Sequence, residues 1–356
     1  MTSNSRATVQ QLFGIALPIV QAPMAGVQGS AMAIAVSNAG GLGSLPCAML
    51  TPDTLRAELA AIVAGTDRPY NVNFFCHATP ARDAAREGRW RDALAPYYAE
   101  YGIDPAAVAA GGGRAPFSAD IADVLEAFRP PVVSFHFGLP SPALVARVKA
   151  WGAQVIASAT TVAEARWLEA HGADAIVAQG VEAGGHRGMF LTDDLSTQIG
   201  TMALLPQVLQ AVRVPVIAAG GIADARGVQA ALALGAAGVQ VGTSYLLCAE
   251  ATTTALHRAA LRSPRAEHTV LTNLITGRPA RGIPNRLMND LGPLSDAPPA
   301  FPLATAALLP LKAAAERLKR DDFSTLWSGQ NATGCREISA ADMTLSLGQN
   351  ATKTPC

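Results

Sequence analysis

A chain of 356 residues, half of them hydrophobic and 15% charged, can bury a large core and carries too little charge for a disordered protein. A formal net charge of zero, with no basic stripe and no polybasic cluster, argues against nucleic acid and against a membrane surface as partners. Five scattered cysteines without a C-x-x-C pair, no apolar run of about 18 residues and no leader-like opening at Met1 point to a reducing, cytoplasmic protein without disulfides, bound metal or a membrane span.

Short apolar, β-rich runs recur along the first two-thirds of the chain. They fall at Pro18–Gln21, Gly41–Leu45, Tyr70–Phe75, Val132–Phe137, Gln154–Ser158, Ala175–Ala178, Val214–Ala219 and Gly238–Val241. Near-continuous apolar runs mark parallel strands buried on both faces. Helical signatures lie between them. Thr51-Pro-Asp-Thr54 supplies an N-cap, a proline at the first helical position and an acidic first turn, and Thr161 caps a second helix. A weak repeat of helix end, glycine C-cap and strand recurs at Trp151-Gly-Ala, His171-Gly-Ala and Leu234-Gly-Ala. Eight strands alternating with helices predict a (β/α)8 TIM barrel over residues 1–248, in preference to a doubly wound open sheet.

Residues 76–130 are too long for one crossover and read as an insertion. It holds a helix around Trp90–Tyr101, a Gly111-Gly-Gly113 break and a helix from Ser118 to Phe128. Residues 249–303 read as a smaller, mainly helical subdomain on the substrate side, roofing the barrel mouth. Residues 304–330 begin with a helix from Ala304 to Arg320, kinked or split at Pro310, that returns to the barrel. The polar segment 331–356 reads as a loosely held tail.

Three features carry chemistry. Gln179-Gly-Val-Glu-Ala-Gly-Gly-His-Arg-Gly188 puts His186 on a glycine-dense, mobile-looking loop after the sixth strand. A histidine titrates near neutral pH and suits proton transfer; the competing reading is an exposed turn. The seventh strand runs into Gly220-Gly221 and the eighth into Gly242-Thr243, where barrels commonly bind phosphate through converging N–H groups. Met24, in the turn after the first strand, reads as core or as a thioether beside a ligand. Asn73 and Gln179 are carboxamides in apolar strands and need hydrogen-bond partners, which a heteroaromatic ring or a phosphate edge would supply. His136 lies between aromatics on the fourth strand and reads as a supporting side chain. His77, His171, His257 and His268 read as ordinary.

Taken together, Gln21-Ala-Pro-Met-Ala-Gly26, Ser37-Asn-Ala-Gly-Gly-Leu-Gly43, Asn71-Val-Asn-Phe74, Ser134-Phe-His-Phe-Gly-Leu-Pro140, the His186 loop, the two glycine loops, Gly277-Arg-Pro-Ala-Arg-Gly282 and Leu326-Trp-Ser-Gly-Gln330 resemble the nitronate monooxygenases, and most their class I branch. The resemblance runs from about residue 14 to about 330. It implies noncovalent FMN held by Met24, Asn73, Gln179, Gly184, Gly220, Gly221, Gln240, Val241, Gly242 and Thr243, with His186 catalytic. It further implies oxidation of an alkyl nitronate, such as propionate 3-nitronate, with O2 to a carbonyl compound and nitrite after one-electron reduction of the flavin. The role would be detoxification, in a monomer or homodimer. His186 would act as base toward a neutral nitroalkane, or hold the charge of a nitronate. Class I pockets are lined partly by C-terminal tyrosines, whereas Tyr245 is the last tyrosine here. Tyr97, Tyr98 and Tyr101 of the insertion stand as substitutes. FMN-dependent NAD(P)H reductases of enoyl-acyl-carrier-protein or quinone share the fold and are the alternative. A flavin-free barrel for a phosphorylated metabolite and a non-catalytic scaffold are more distant ones.

Overall fold

The computed structural model describes residues 7–108 and 114–349. The Gly111–Gly113 break and the last seven residues of the expected tail lie outside them.

Chain order runs α1 (Val9–Phe13), β1 (Ile19–Gln21), α2 (Ser30–Asn38), β2 (Gly43–Pro46), α3 (Pro52–Gly65) and β3 (Tyr70–Phe75). The insertion supplies α4 (Ala84–Glu100) and α5 (Ala119–Phe128), before β4 (Val132–His136), α6 (Pro142–Ala150), β5 (Gln154–Ala159), α7 (Val162–Ala170) and β6 (Ala175–Gln179). Then come β7 (Gly185–His186), α8 (Thr201–Ala211), β8 (Val216–Ala219), α9 (Ala225–Ala233) and β9 (Gly238–Val241). Beyond the barrel lie α10 (Ala255–Leu261), β10 (Val270–Thr272), β11 (Ala280–Gly282), α11 (Arg286–Leu291), α12 (Thr305–Arg317) and α13 (Ala340–Leu347).

Eight parallel strands pair in the order β1-β9-β8-β6-β5-β4-β3-β2. A bridge from Leu42 back to Val20 joins the two ends of the sheet, so this is a (β/α)8 barrel. The barrel strands form where nearly every residue is buried; β3 and β6 are covered along their whole length. The helices form where caps and apolar spacing agree. Thr51 accepts from the Thr54 N–H, Pro52 opens α3, and Leu55, Leu59 and Ile62 bury one stripe of it.

Three local expectations change. First, the Gly-Gly-His segment is not a free loop. β7 pairs antiparallel with β11, Ala280 opposite His186, within a small sheet β10-β11-β7. Second, α12 is continuous through Pro310, because Leu308, Leu311, Ala314 and Ala315 bury one face against α4 and outweigh the missing N–H. Third, the segment after residue 331 is no loose tail through residue 349. In α13, Ala340, Met343 and Leu347 are buried in the main core beside α2 and α9, and Thr344 Oγ1 meets Tyr245 Oη at 2.9 Å. A second hydrophobic cluster, formed by Trp90, Leu94, Tyr98, Leu311 and Phe323, ties α4 and α12 together beside the barrel.

Candidate active site

The C-terminal ends of the barrel strands open into a cavity of about 320 Å³, the side on which barrels of this type carry chemistry. It is lined by His186, Met24, Asn73, Gln179, Gly184, Gly220, Gly221, Gln240, Gly242 and Thr243, gathered from five of the barrel strands and the segment that holds β7. Val241 is the exception. Gln240 and Gly242 face the cavity, so strand alternation turns Val241 outward into the buried layer between strands and helices.

His186 is held from both sides. Its Nε2 lies 2.9 Å from Thr276 Oγ1, and that hydroxyl donates to the Arg278 carbonyl at 3.3 Å. The hydroxyl proton is thereby committed, so Nε2–H is the donor to Thr276 and Nδ1 is the nitrogen left unprotonated. Burial holds the imidazole well below its usual pKa, and Arg114, His136, Arg278 and His77 push it the same way. His186 is therefore neutral near pH 7, and the positive charge lining the cavity belongs to Arg114 and Lys312.

The segment carrying His186 is rigid for identifiable reasons. Gln179 Nε2 donates to the His186 carbonyl at 3.1 Å, and Gln179 Oε1 accepts from the Gly188 N–H at 2.8 Å. His136 Nε2 donates to the same His186 carbonyl at 3.2 Å; burial lowers its pKa to about 3, so it too is neutral. Arg187 is fully buried and donates to the carbonyls of Gly180 (2.8 Å) and Gln179 (2.7 Å) and to Gln198 Oε1 (2.9 Å). Arg281 adds a bond to the Val181 carbonyl at 2.8 Å. Two buried guanidiniums thus satisfy a run of carbonyls that no helix or sheet would satisfy. Gly184 packs so closely that a Cβ would stand 2.5 Å from the Gly329 nitrogen.

The two polar strand amides, both on the cavity wall, also have protein partners. Asn73 Nδ2 donates to Ser134 Oγ at 2.9 Å, and Gln179 is committed as above. Gln240 differs: it faces the cavity, and its carboxamide bonds no described residue. At the other end, Gly220 and Gly221 have φ of 117° and 71°, which only glycine adopts readily, and Thr243 Oγ1 accepts from the Gly329 N–H at 3.0 Å. The cavity wall beside His186 is aromatic. Phe75 and Trp327 line it, with ring centroids 6.1 and 5.8 Å from the imidazole, and Phe301, outside the lining, has its ring centroid 5.3 Å away.

Several of these residues escaped sequence reasoning. Arg114 and Thr276 follow and precede glycine-rich stretches without any pattern of their own. His257, read as ordinary, lines the cavity; its Nε2 donates to the Trp327 carbonyl at 3.0 Å, and burial lowers its pKa to about 4. The insertion tyrosines do not line the cavity. Tyr98 donates to the Ala307 carbonyl at 2.7 Å, while Tyr97 and Tyr101 pack edge-on against Phe323, which does line it.

A family model described as nitronate monooxygenase matches residues 6–350. This chain belongs to the nitronate monooxygenase family. A nitronate monooxygenase of Pseudomonas aeruginosa is 44% identical over 340 residues, covering 95% of this chain and 97% of that one. Among solved structures, nitroalkane oxidase from Streptomyces ansochromogenes superposes with a TM-score of 0.87 at 39% identity, covering 96% of each chain. FabK from Thermotoga maritima covers 96% of this chain and 95% of its own, but with a TM-score of 0.69 and 27% identity. The barrel is therefore shared with that protein, while the likeness to the nitronate monooxygenase and the nitroalkane oxidase is the stronger one.

Proposed function

We propose that this protein is an FMN-dependent nitronate monooxygenase that converts alkyl nitronates, with O2, to a carbonyl compound and nitrite. The observation that carries the reading is a neutral, rigidly held His186 at the mouth of a cavity that runs from an aromatic wall to paired glycine turns. The residues fit FMN. The Gly220-Gly221 and Gly242-Thr243 turns leave room for backbone to approach a phosphate. Met24 offers an apolar, polarizable surface for a ring, and the free Gln240 carboxamide offers a hydrogen bond to its edge. Bound FMN would supply the one-electron chemistry that a protein side chain cannot.

The chain's own part is positioning and proton transfer. Toward a neutral nitroalkane, the unprotonated Nδ1 of His186 takes the α-proton, and Thr276 keeps the ring in the required tautomer. Toward a preformed nitronate no proton needs to move, and the anion is drawn to a cavity lined by the cations Arg114 and Lys312. Phe75 and Trp327 exclude water from the reacting end. The test is direct. FMN-loaded protein given propionate 3-nitronate should consume O2 and release nitrite, with little bleaching of the flavin by NADPH in anaerobic buffer. Full bleaching by NADPH, with no nitrite from the nitronate, would move the protein to the reductases.

A further inference from the structure

The segment that follows α12 runs from the reacting end of the cavity to the glycine turns. Trp327, Gly329 and Asn331 all line the cavity. Trp327 has its ring centroid 5.8 Å from that of His186, while Asn331 Nδ2 donates to the Gly221 carbonyl at 3.1 Å. The same stretch also bonds the other turns at that end. The Gln330 N–H donates to the Glu182 carbonyl at 2.9 Å, the Gly329 N–H to Thr243 Oγ1 at 3.0 Å, and the Cys335 thiol to the Thr243 carbonyl at 3.0 Å. Gly334 lies so close to the Ala223 carbonyl that no Cβ would fit. One short stretch thus ties together the loops that follow β6, β8 and β9.

It is anchored on both sides. A bridge joins Trp327 to Gly282 of β11. Beyond Cys335, the Ala249 N–H donates to the Ile338 carbonyl at 3.0 Å and the Ala340 N–H to Glu250 Oε2 at 2.8 Å, and α13 is buried in the main core.

The turns it holds have donors to spare. The N–H groups of Gly221, Ile222 and Thr243, all cavity-lining residues, bond no described residue. The Asn331 bond decides where one of them points. A trans peptide is planar, so holding the Gly221 carbonyl on one side turns the Ile222 N–H to the other. Unheld, Gly220 and Gly221 would sample many backbone states, and a ligand would have to order them on arrival. Asn331 is oriented for this task by its own triplet, Asn331-Ala-Thr333. Its Oδ1 accepts from Thr333 Oγ1 at 2.7 Å and from the Thr333 N–H at 3.2 Å, which leaves the NH2 group to Gly221.

We propose that residues 328–335 form a strap that presets the phosphate end of the flavin site, with Asn331 as its positioning residue, acting through the Gly221 peptide. Phosphate recognition then depends on a segment outside the barrel strands. The inference rests on the FMN reading for the identity of the anion.

The experiment uses full-length wild-type, Asn331→Ala, Asn331→Asp and Thr333→Val proteins freed of flavin. Each is titrated with FMN and with riboflavin, which has the same ring and no phosphate, and binding is read from flavin fluorescence. Wild type should prefer FMN by at least about 100-fold. Asn331→Ala should raise the Kd for FMN about tenfold and that for riboflavin by less than about twofold. Asn331→Asp has no donor and adds a negative charge, so its loss of FMN affinity should be about 30-fold. Thr333 is exposed, and Thr333→Val, which frees the Asn331 carboxamide and leaves the core intact, should cost about threefold for FMN alone. A shrinking preference for FMN over riboflavin is a signature that general loosening of the fold does not produce. Equal weakening of both flavins, or unchanged affinities in the Asn331 variants, would overturn the assignment while leaving the FMN reading in place. Wild type that binds neither flavin removes the FMN reading and the assignment with it.

Discussion

At the scale of single residues, function depends on who satisfies whom. His186 is a base because Thr276 occupies Nε2 and burial keeps the ring neutral. Replacing His186 with Asn should lower kcat/KM for a neutral nitroalkane by about 10²- to 10⁴-fold, while turnover of the preformed nitronate falls by less than about tenfold. Parallel steady-state assays with the two forms decide it; equal losses would mean the imidazole does not take the proton. Arg187 is the residue on which the geometry rests. Arg187→Met removes the donors for two buried carbonyls and for Gln198 at once. The loss should be about 3 kcal/mol or more of stability, read as a lower denaturant midpoint, and flavin affinity should weaken as the His186 segment loosens.

At the scale of elements, the most consequential ones are those whose partners lie far away in sequence. β7 is two residues long, and Gly-His has no strand propensity. It exists because β11, more than ninety residues later, lends it a pairing edge. α13 shows the opposite case, in which a signal was present inside a polar segment. Ser339 caps the helix, Asp342 sits in its first turn, and Ala340, Met343, Thr344 and Leu347 recur at helical spacing to bury one face. Met343→Ala should cost about 2–5 kcal/mol, as expected for a large side chain deleted from a packed core. A melting temperature unchanged from wild type would mean that α13 is not an integral part of the barrel.

At the scale of the whole molecule, the buried histidines couple stability to pH. His136 and His257 have pKa values lowered to about 3 and about 4, chiefly by burial, and His186 is lowered as well. In the unfolded chain each returns to about 6.5. Below that pH the unfolded state therefore binds more protons, and stability rises with pH through this window. The contribution is complete above about pH 6.5 and is lost as pH falls toward 4 and then 3. Each histidine adds a slope of up to about 1.4 kcal/mol per pH unit within its interval. Unfolding midpoints recorded from pH 7 down to pH 4.5 should fall steadily, and His257→Gln should flatten the curve. A midpoint that is constant or climbs on acidification would contradict neutral burial.

The sequence by itself determined the barrel, because parallel strands buried on both faces must be written as unbroken apolar runs. It also marked the glycine turns and the His186 segment, since close backbone approach demands particular residues at particular places. It did not determine which polar groups meet. Val241 shares a tetrapeptide with three cavity residues and faces the other way, a matter of strand alternation that becomes visible only in the barrel. Asn73 and Gln179 are amides in apolar strands that need partners; the tertiary structure supplies Ser134 and the His186 segment while keeping both residues on the cavity wall. Arg114 carries no local pattern. That it faces no acid among the described residues depends on the cavity's Glu316 being taken by Ser324 and Lys312, pairings that only packing brings together.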